Sequence, residues 1–182
     1  MSGKDLAFHY VCTWDEARDL VGNHDRFWVS NCGCRERCGS CKRSRLDVCL
    51  VFNPDDQGSG SDKKEVARAQ VEEILKEAET KYLVARPFRD EKDMTLTGGI
   101  CFCCDDCCGY FLDPTEKCDR GRQIESTNFD LCTHCGICVD VCYFLTRTMV
   151  DGKLTIDPDF CFGCGLCVPI CPEACIAIVA RS

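Results

Sequence analysis

Apolar positions in this chain switch between helical and strand spacing several times. Over residues 62–80, Val71, Ile74, Leu75 and Ala78 fall on one stripe of an otherwise charged surface. That spacing predicts one long amphipathic helix lying against a core, and Asp62 with Glu65 gives it a cap signal. A shorter helix is predicted over residues 13–22, opened by a Thr13–Glu16 capping box and stopped at Gly22. FWVS (27–30), DVCLVF (47–52) and YLVAR (82–86) are short, rich in β-branched and aromatic residues, and read as strands. PDDQGSGS (54–61) is a turn-rich loop, and residues 113–130 are polar and irregular, as in a linker. No apolar run is long enough to span a bilayer. The pattern is that of an α+β protein.

Residues 131–182 contain an internal repeat. CTHCGICVDVC opens at Cys132 and CFGCGLCVPIC at Cys161. Cys132, Cys135, Cys138 and Cys142 recur at one offset as Cys161, Cys164, Cys167 and Cys171, and Gly136 recurs as Gly165. Between the halves, TMVDGKLTI carries Asp151-Gly152, a type I′ hairpin signal flanked by short strands. Three spans follow: a cysteine-rich front domain (1–112), a linker (113–130) and the repeat domain (131–182).

Composition sharpens this picture. The chain has 182 residues and 21 cysteines. Without cysteine, the apolar stock is about a third of the chain, which is modest for a packed domain. Something besides burial is expected to hold the fold, and metals or disulfides do that in small domains. Disulfides fit poorly, because the cysteine count is odd and the opening MSGKDLAFHY has no apolar leader segment. Reduced, clustered thiols in a cytoplasmic protein point instead to metal binding. The formal charge of −8 argues against nucleic-acid binding.

Each half of the repeat reads C-x2-C-x2-C-x3-C. Three closely spaced thiolates wrap one iron–sulfur cube, while the fourth points away and ligates the cube held by the other half. This assigns Cys132, Cys135, Cys138 and Cys171 to one [4Fe–4S] cluster, and Cys161, Cys164, Cys167 and Cys142 to a second. Tyr143, Phe144, Phe160 and Phe162 are placed to shield the clusters from water. Cys175 is left over and reads as a buried small hydrophobe. The segment resembles the bacterial two-cluster ferredoxins, including Pro172 after Cys171, although Tyr143 replaces the proline after Cys142. The resemblance implies a ferredoxin-like fold with a pseudo-two-fold pair of hairpins around two [4Fe–4S] clusters.

The front domain holds a second reserve of sulfur. NCGCRERCGSCKRSR and GGICFCCDDCCG each contain a CxC and a CxxC pair. Adjacent cysteines point in different directions, so one loop cannot aim all its thiols at one metal. The two patches are therefore expected to fold against each other and share a site. CGCR…C…DVCLVF followed by GGICFCCDDCCG resembles the front half of a group of anaerobe iron–sulfur proteins that carry a ferredoxin tail. That resemblance makes Cys32, Cys34, Cys41, Cys49, Cys103, Cys104, Cys107 and Cys108 the matching candidates, with Cys12, Cys38, Cys101 and Cys118 matching less well, and it does not reveal which four act. A third [4Fe–4S] cluster is the expected occupant, with zinc as the alternative. The basic run Arg35, Arg37, Lys42, Arg43 and Arg45 reads as a solvated loop, a steering patch or an offset to cluster charge, and Asp105-Asp106 reads as a turn.

No catalytic residues emerge: Rossmann, P-loop and flavin motifs are missing, and the histidines show no triad or metal spacing. Thiolate-held clusters carry electrons one at a time, so the chain reads as a non-catalytic relay at low potential. The whole layout, a third cysteine site ahead of a ferredoxin tail, resembles the electron-transfer subunit of the tungsten-dependent benzoyl-CoA reductases of obligate anaerobes. That resemblance implies a large tungstopterin oxidoreductase subunit as partner and a ferredoxin or similar protein as electron donor. Neither nucleic acid nor a membrane is expected to bind. Two other readings stay open: a free ferredoxin-like carrier, and a ferredoxin tail on a zinc-binding interaction module.

Overall fold

The computed structural model describes residues 6–113 and 116–181. Residues 1–5 of the opening segment and residues 114–115 of the predicted linker lie outside the described residues.

The chain mixes helix and sheet. Its main sheet has seven strands, in the order β4 (Lys64–Val66), β2 (Phe27–Ser30), β3 (Cys49–Val51), β6 (Thr97–Cys103), β5 (Val84–Arg89), β1 (His9–Tyr10), β7 (Cys118–Asp119). Neighbours are antiparallel except β1 and β7, which run parallel. Alternation along β6 gives the sheet two different faces. Ile100 and Phe102 point one way, and Cys101 and Cys103 the other. Phe102 stacks on Trp14 at 5.6 Å between ring centroids. Trp14 opens helix α1 (Trp14–Gly22), which is started by the predicted Thr13–Glu16 capping box. Helix α3 (Arg68–Thr80) lies beside α1, tied by Arg18 to Glu79, and buries Val71, Ile74, Leu75 and Ala78. Helices therefore cover one face of the sheet, while thiols stand on the other.

Helix α3 is shorter than the 62–80 span its periodicity suggests. Asp62 has φ +56, a left-handed turn that breaks helical propagation. Residues 64–66 then form β4 on the sheet edge, paired with β2 and bearing the charge that suits an exposed edge. The span 113–130 is not a structureless linker either. Cys118–Asp119 is β7 of the main sheet, and β8 (Gln123–Thr127) pairs along its full length with β11 (Ile176–Ala180). These strands carry few buried apolar side chains, so the hydrophobic pattern gave no sign of them.

In the tail, β9 (Arg147–Val150) and β10 (Lys153–Ile156) form a hairpin. It turns through Asp151 (φ +50) and Gly152 (φ +75), as the Asp-Gly signal predicts. Front and tail share one core, because Val141 and Leu166 of the tail are buried with the front's strands and helices. An aromatic seam closes the join. Phe144 stacks on Phe162 at 4.4 Å, Tyr110 meets Phe162, and Phe111 meets Tyr143 and Phe144. Phe160 takes no part in this shielding, being 57% exposed. Among the described residues, no helix is long and apolar enough to cross a membrane.

Candidate metal centres

Cys132, Cys135, Cys138 and Cys171 line one cavity of the tail, and Cys142, Cys161, Cys164 and Cys167 line another. The backbone that presents them is tightly turned. Gly136 and Gly165 adopt φ +80 and +76, and Gly163 adopts φ +78 with no room for a side chain. A Cβ on Gly163 would sit 2.1 Å from the Gln123 carbonyl oxygen. His134, itself at φ +55, accepts the Leu154 N–H on Nδ1 at 3.0 Å and so ties the Cys132–Cys135 loop to the hairpin. Cys175 is buried, but it lies in the wall of the first cavity with its Sγ 3.5 Å from that of Cys171.

The charge arrangement fits an anionic sulfur group. Arg147 is 1% exposed, and its Nη1 donates to Cys138 Sγ at 3.5 Å. Its Nη2 donates to Thr127 Oγ1 at 2.9 Å and to the Glu125 carboxylate. The same guanidinium acts on Cys167 of the other cavity. A guanidinium buried this deeply needs negative partners on more than one side; Glu125 is one, and thiolates of both cavities supply the rest. Burial, with the neighbouring thiols adding to it, pushes Cys164 and Cys167 up to about 12. A cationic core is therefore needed to hold them deprotonated.

In the front domain the eight candidate thiols fall into three places. Cys32 touches Cys34, Cys34 touches Cys108, and Cys108 touches Cys103. All four line one cavity, whose wall Cys101, Cys104 and Cys107 share. Arg86, 2% exposed, reaches Cys108 Sγ at 3.4 Å and Cys103 Sγ at 3.8 Å, and it also binds Glu116. The Gly109 N–H donates to Cys34 Sγ at 3.4 Å, at the start of the short helix α4 (Gly109–Leu112). Beside this group His9 is held neutral, pushed down to about 3 chiefly by burial and then by the Arg86 charge.

Cys41, Cys104 and Cys107 form a second group. Cys104 Sγ lies 3.6 Å from Cys41 Sγ and 3.6 Å from Cys107 Sγ. Cys49 pairs instead with Cys101 across β3 and β6, with 4.0 Å between the sulfurs. Among the less well matched cysteines, Cys12 is buried and Cys118 half-buried, while Cys38 is exposed with its Sγ 3.7 Å from the Cys107 carbonyl oxygen.

Two other expectations change. The basic run is not uniformly solvated: Arg35, in the short helix α2 (Gly33–Cys38), is 2% exposed. Its guanidinium donates to the Arg45 and Phe102 carbonyl oxygens, both at 2.9 Å, and lies close to Cys32, Cys41 and Cys104. Asp105 and Asp106 form the turn, but they also latch it. Asp105 pairs with Arg43, and Asp106 accepts the Lys42 N–H at 2.9 Å. Arg86 and Arg147, buried beside sulfur, are the residues sequence reasoning missed, because a lone arginine carries no sequence mark of burial.

Residues 124–172 match the model of the 4Fe-4S dicluster domain. The match contains all eight repeat cysteines and begins inside the span that reads as a linker. No curated protein matches the chain. The match supports [4Fe–4S] clusters in the tail and an iron–sulfur electron-transfer role. The front domain lies outside that match.

Proposed function

We propose that this chain relays electrons, one at a time, through two [4Fe–4S] clusters in the tail and a third in the front domain, to a partner oxidoreductase. The observation that carries the reading is the gathering of the eight repeat cysteines into two cavities of four within a matched dicluster domain. In this reading Cys171 and Cys142 each cross to the cavity of the opposite half. A thiolate-held cubane supplies one-electron transfer at a potential set by charge, hydrogen bonds and burial.

The chain's own residues supply those settings. Arg147 and Arg86 place fixed positive charge against the sulfur ligands, which favours an added electron. The aromatic seam keeps water from the cavity of Cys142, Cys161, Cys164 and Cys167. Cys32, Cys34, Cys103 and Cys108 would hold the front cluster. The second tail cavity lies between the front and the first tail cavity. Cys164 packs against the front's core, whereas Cys132 and Cys171 pack in a separate cluster of the tail. Tyr143 spans the join, close to both Cys104 and Cys164. The order front, near tail, far tail therefore suits a line of transfer.

The layout resembles the electron-transfer subunit of tungsten-dependent benzoyl-CoA reductases, so a large tungstopterin subunit in the cytoplasm of an anaerobe is the first partner to test. The test is iron and acid-labile sulfide per chain on protein purified without oxygen, where three cubes require about 12 of each. About 8 of each would confine the relay to the tail. A chain that purifies alone and reduces several unrelated acceptors equally well would favour the free carrier.

A further inference from the structure

We propose that the front domain also holds a separate single-ion site, in which Cys41, Cys104 and Cys107, with Cys38 as fourth donor, bind one zinc ion. It stands beside the front cluster and does not require it.

The spacing of the sulfurs suits one ion. A tetrahedral zinc with Zn–S of about 2.3 Å sets its sulfurs about 3.8 Å apart. Cys104 is 3.6 Å from both Cys41 and Cys107, and all three sulfurs lie within 4.8 Å of one another.

The chain's geometry explains why two sites are needed. Neighbouring side chains diverge, so each adjacent pair must serve two destinations. Cys103 and Cys108, the outer members of the CCDDCC run, meet Cys32 and Cys34. Cys104 and Cys107, the inner members, meet Cys41. What remains in each group is a CxxC pair, Cys38-x2-Cys41 and Cys104-x2-Cys107. Two such pairs brought together make a four-thiolate zinc site. Cys38 is held over this loop, its Sγ 3.7 Å from the Cys107 carbonyl oxygen.

The surroundings suit thiolates on both arms. The N–H groups of Arg43 and Ser44 point at Cys41 Sγ, and those of Asp106 and Cys107 at Cys104 Sγ. Arg43–Asp105 and the Lys42 N–H to Asp106 bond clamp the same two segments together. An ion here would join residues far apart in the chain and fix the loop that presents Cys103 and Cys108.

Neighbouring residues give the test. On anaerobically purified full-length chain, Cys107→Ser should lose the zinc, about one per chain, and keep the iron and sulfide of the unmodified protein. Cys108→Ser should lose iron and sulfide and keep the zinc. The zinc absorption edge of the unmodified protein, which needs no variant, should show a shell of sulfurs at about 2.3 Å. Zinc with only about 8 iron and 8 sulfide would remove the front cluster of the previous section and leave this site standing. Iron and sulfide near 12 each with no zinc, a zinc edge without a sulfur shell, or the same losses from both variants would overturn the proposal.

Discussion

Arg147 offers the sharpest test of how the fold sets the potentials of the tail. Its guanidinium is buried, donates to Cys138 Sγ at 3.5 Å, and acts on Cys167 of the neighbouring cavity. Reduction adds one negative charge to the sulfur-bound group, so removing this cation should make reduction harder. With an effective dielectric of about 20 and a mean charge separation of ~6 Å, the interaction is about 3 kcal/mol. For one electron that corresponds to a potential lower by roughly 120 mV. Arg147→Gln keeps a polar side chain for Thr127 and Glu125, so the main loss is charge. Potentiometric titration followed by electron paramagnetic resonance should show the fall, larger for the group on Cys138 than for the one on Cys167. Glu125→Gln should move the same potentials the other way, because it removes a carboxylate from the same guanidinium. Arg147→Lys should shift them less than Arg147→Gln. A shift under ~30 mV for Arg147→Gln, or an upward shift, would refute the idea that this buried charge tunes the tail.

Four further predictions read other links of the chain. Cys171→Ser and Cys135→Ser should leave the same surviving spectrum, as should Cys142→Ser and Cys164→Ser; a Cys171→Ser spectrum matching that of Cys164→Ser would show ligation within each half instead. Gly163→Ala puts a Cβ 2.1 Å from the Gln123 carbonyl oxygen at φ +78 and should cost about 3 kcal/mol, seen as cluster loss at lower temperature. Gly22→Ala, where a Cβ meets nothing within 4 Å, should be neutral or stabilise by up to about 1 kcal/mol in the same melt. Thr13→Ala removes the side-chain cap that receives the Glu16 N–H and should cost about 1 kcal/mol in denaturant unfolding.

The legible parts of this fold were those written in local chemistry. Thr13 and Glu16 cap α1 because both partners of the capping box lie within one turn. Asp151-Gly152 makes the hairpin because the turn needs positive φ at both positions. The repeat spacing marked eight cysteines, and the structure gathers them in two sets of four. What stayed hidden depended on partners far away in sequence. β7 and β8 are strands because β1 and β11 lie alongside them, 49 residues away in the case of Thr127 and Ile176. Helix α3 starts late because Asp62 is drawn into a turn, where its carboxylate receives the side-chain N–H of Asn31 at 3.2 Å.

Charge was hidden in a different way. A run of arginines beside cysteines looks like a solvated loop, since arginine is rarely buried unless paired. Here the pairing is the reason for the burial. Arg147 and Arg86 each have a carboxylate on one side, Glu125 or Glu116, and sulfur on the other. Neither partner alone balances the guanidinium against the loss of water. Arg35 differs, because backbone carbonyls fix its geometry while thiols of both front groups surround its charge. It stands between Cys32 of the cavity group and Cys41 and Cys104 of the single-ion group. If both groups carry thiolates, Arg35 screens one negative site from the other, which lets the CCDDCC run hold two anionic centres in one loop. A neutral residue at that position would leave the two sites repelling each other across a few ångströms of low-dielectric interior. Arg35 therefore matters most when both sites are filled, and least when the thiols are protonated.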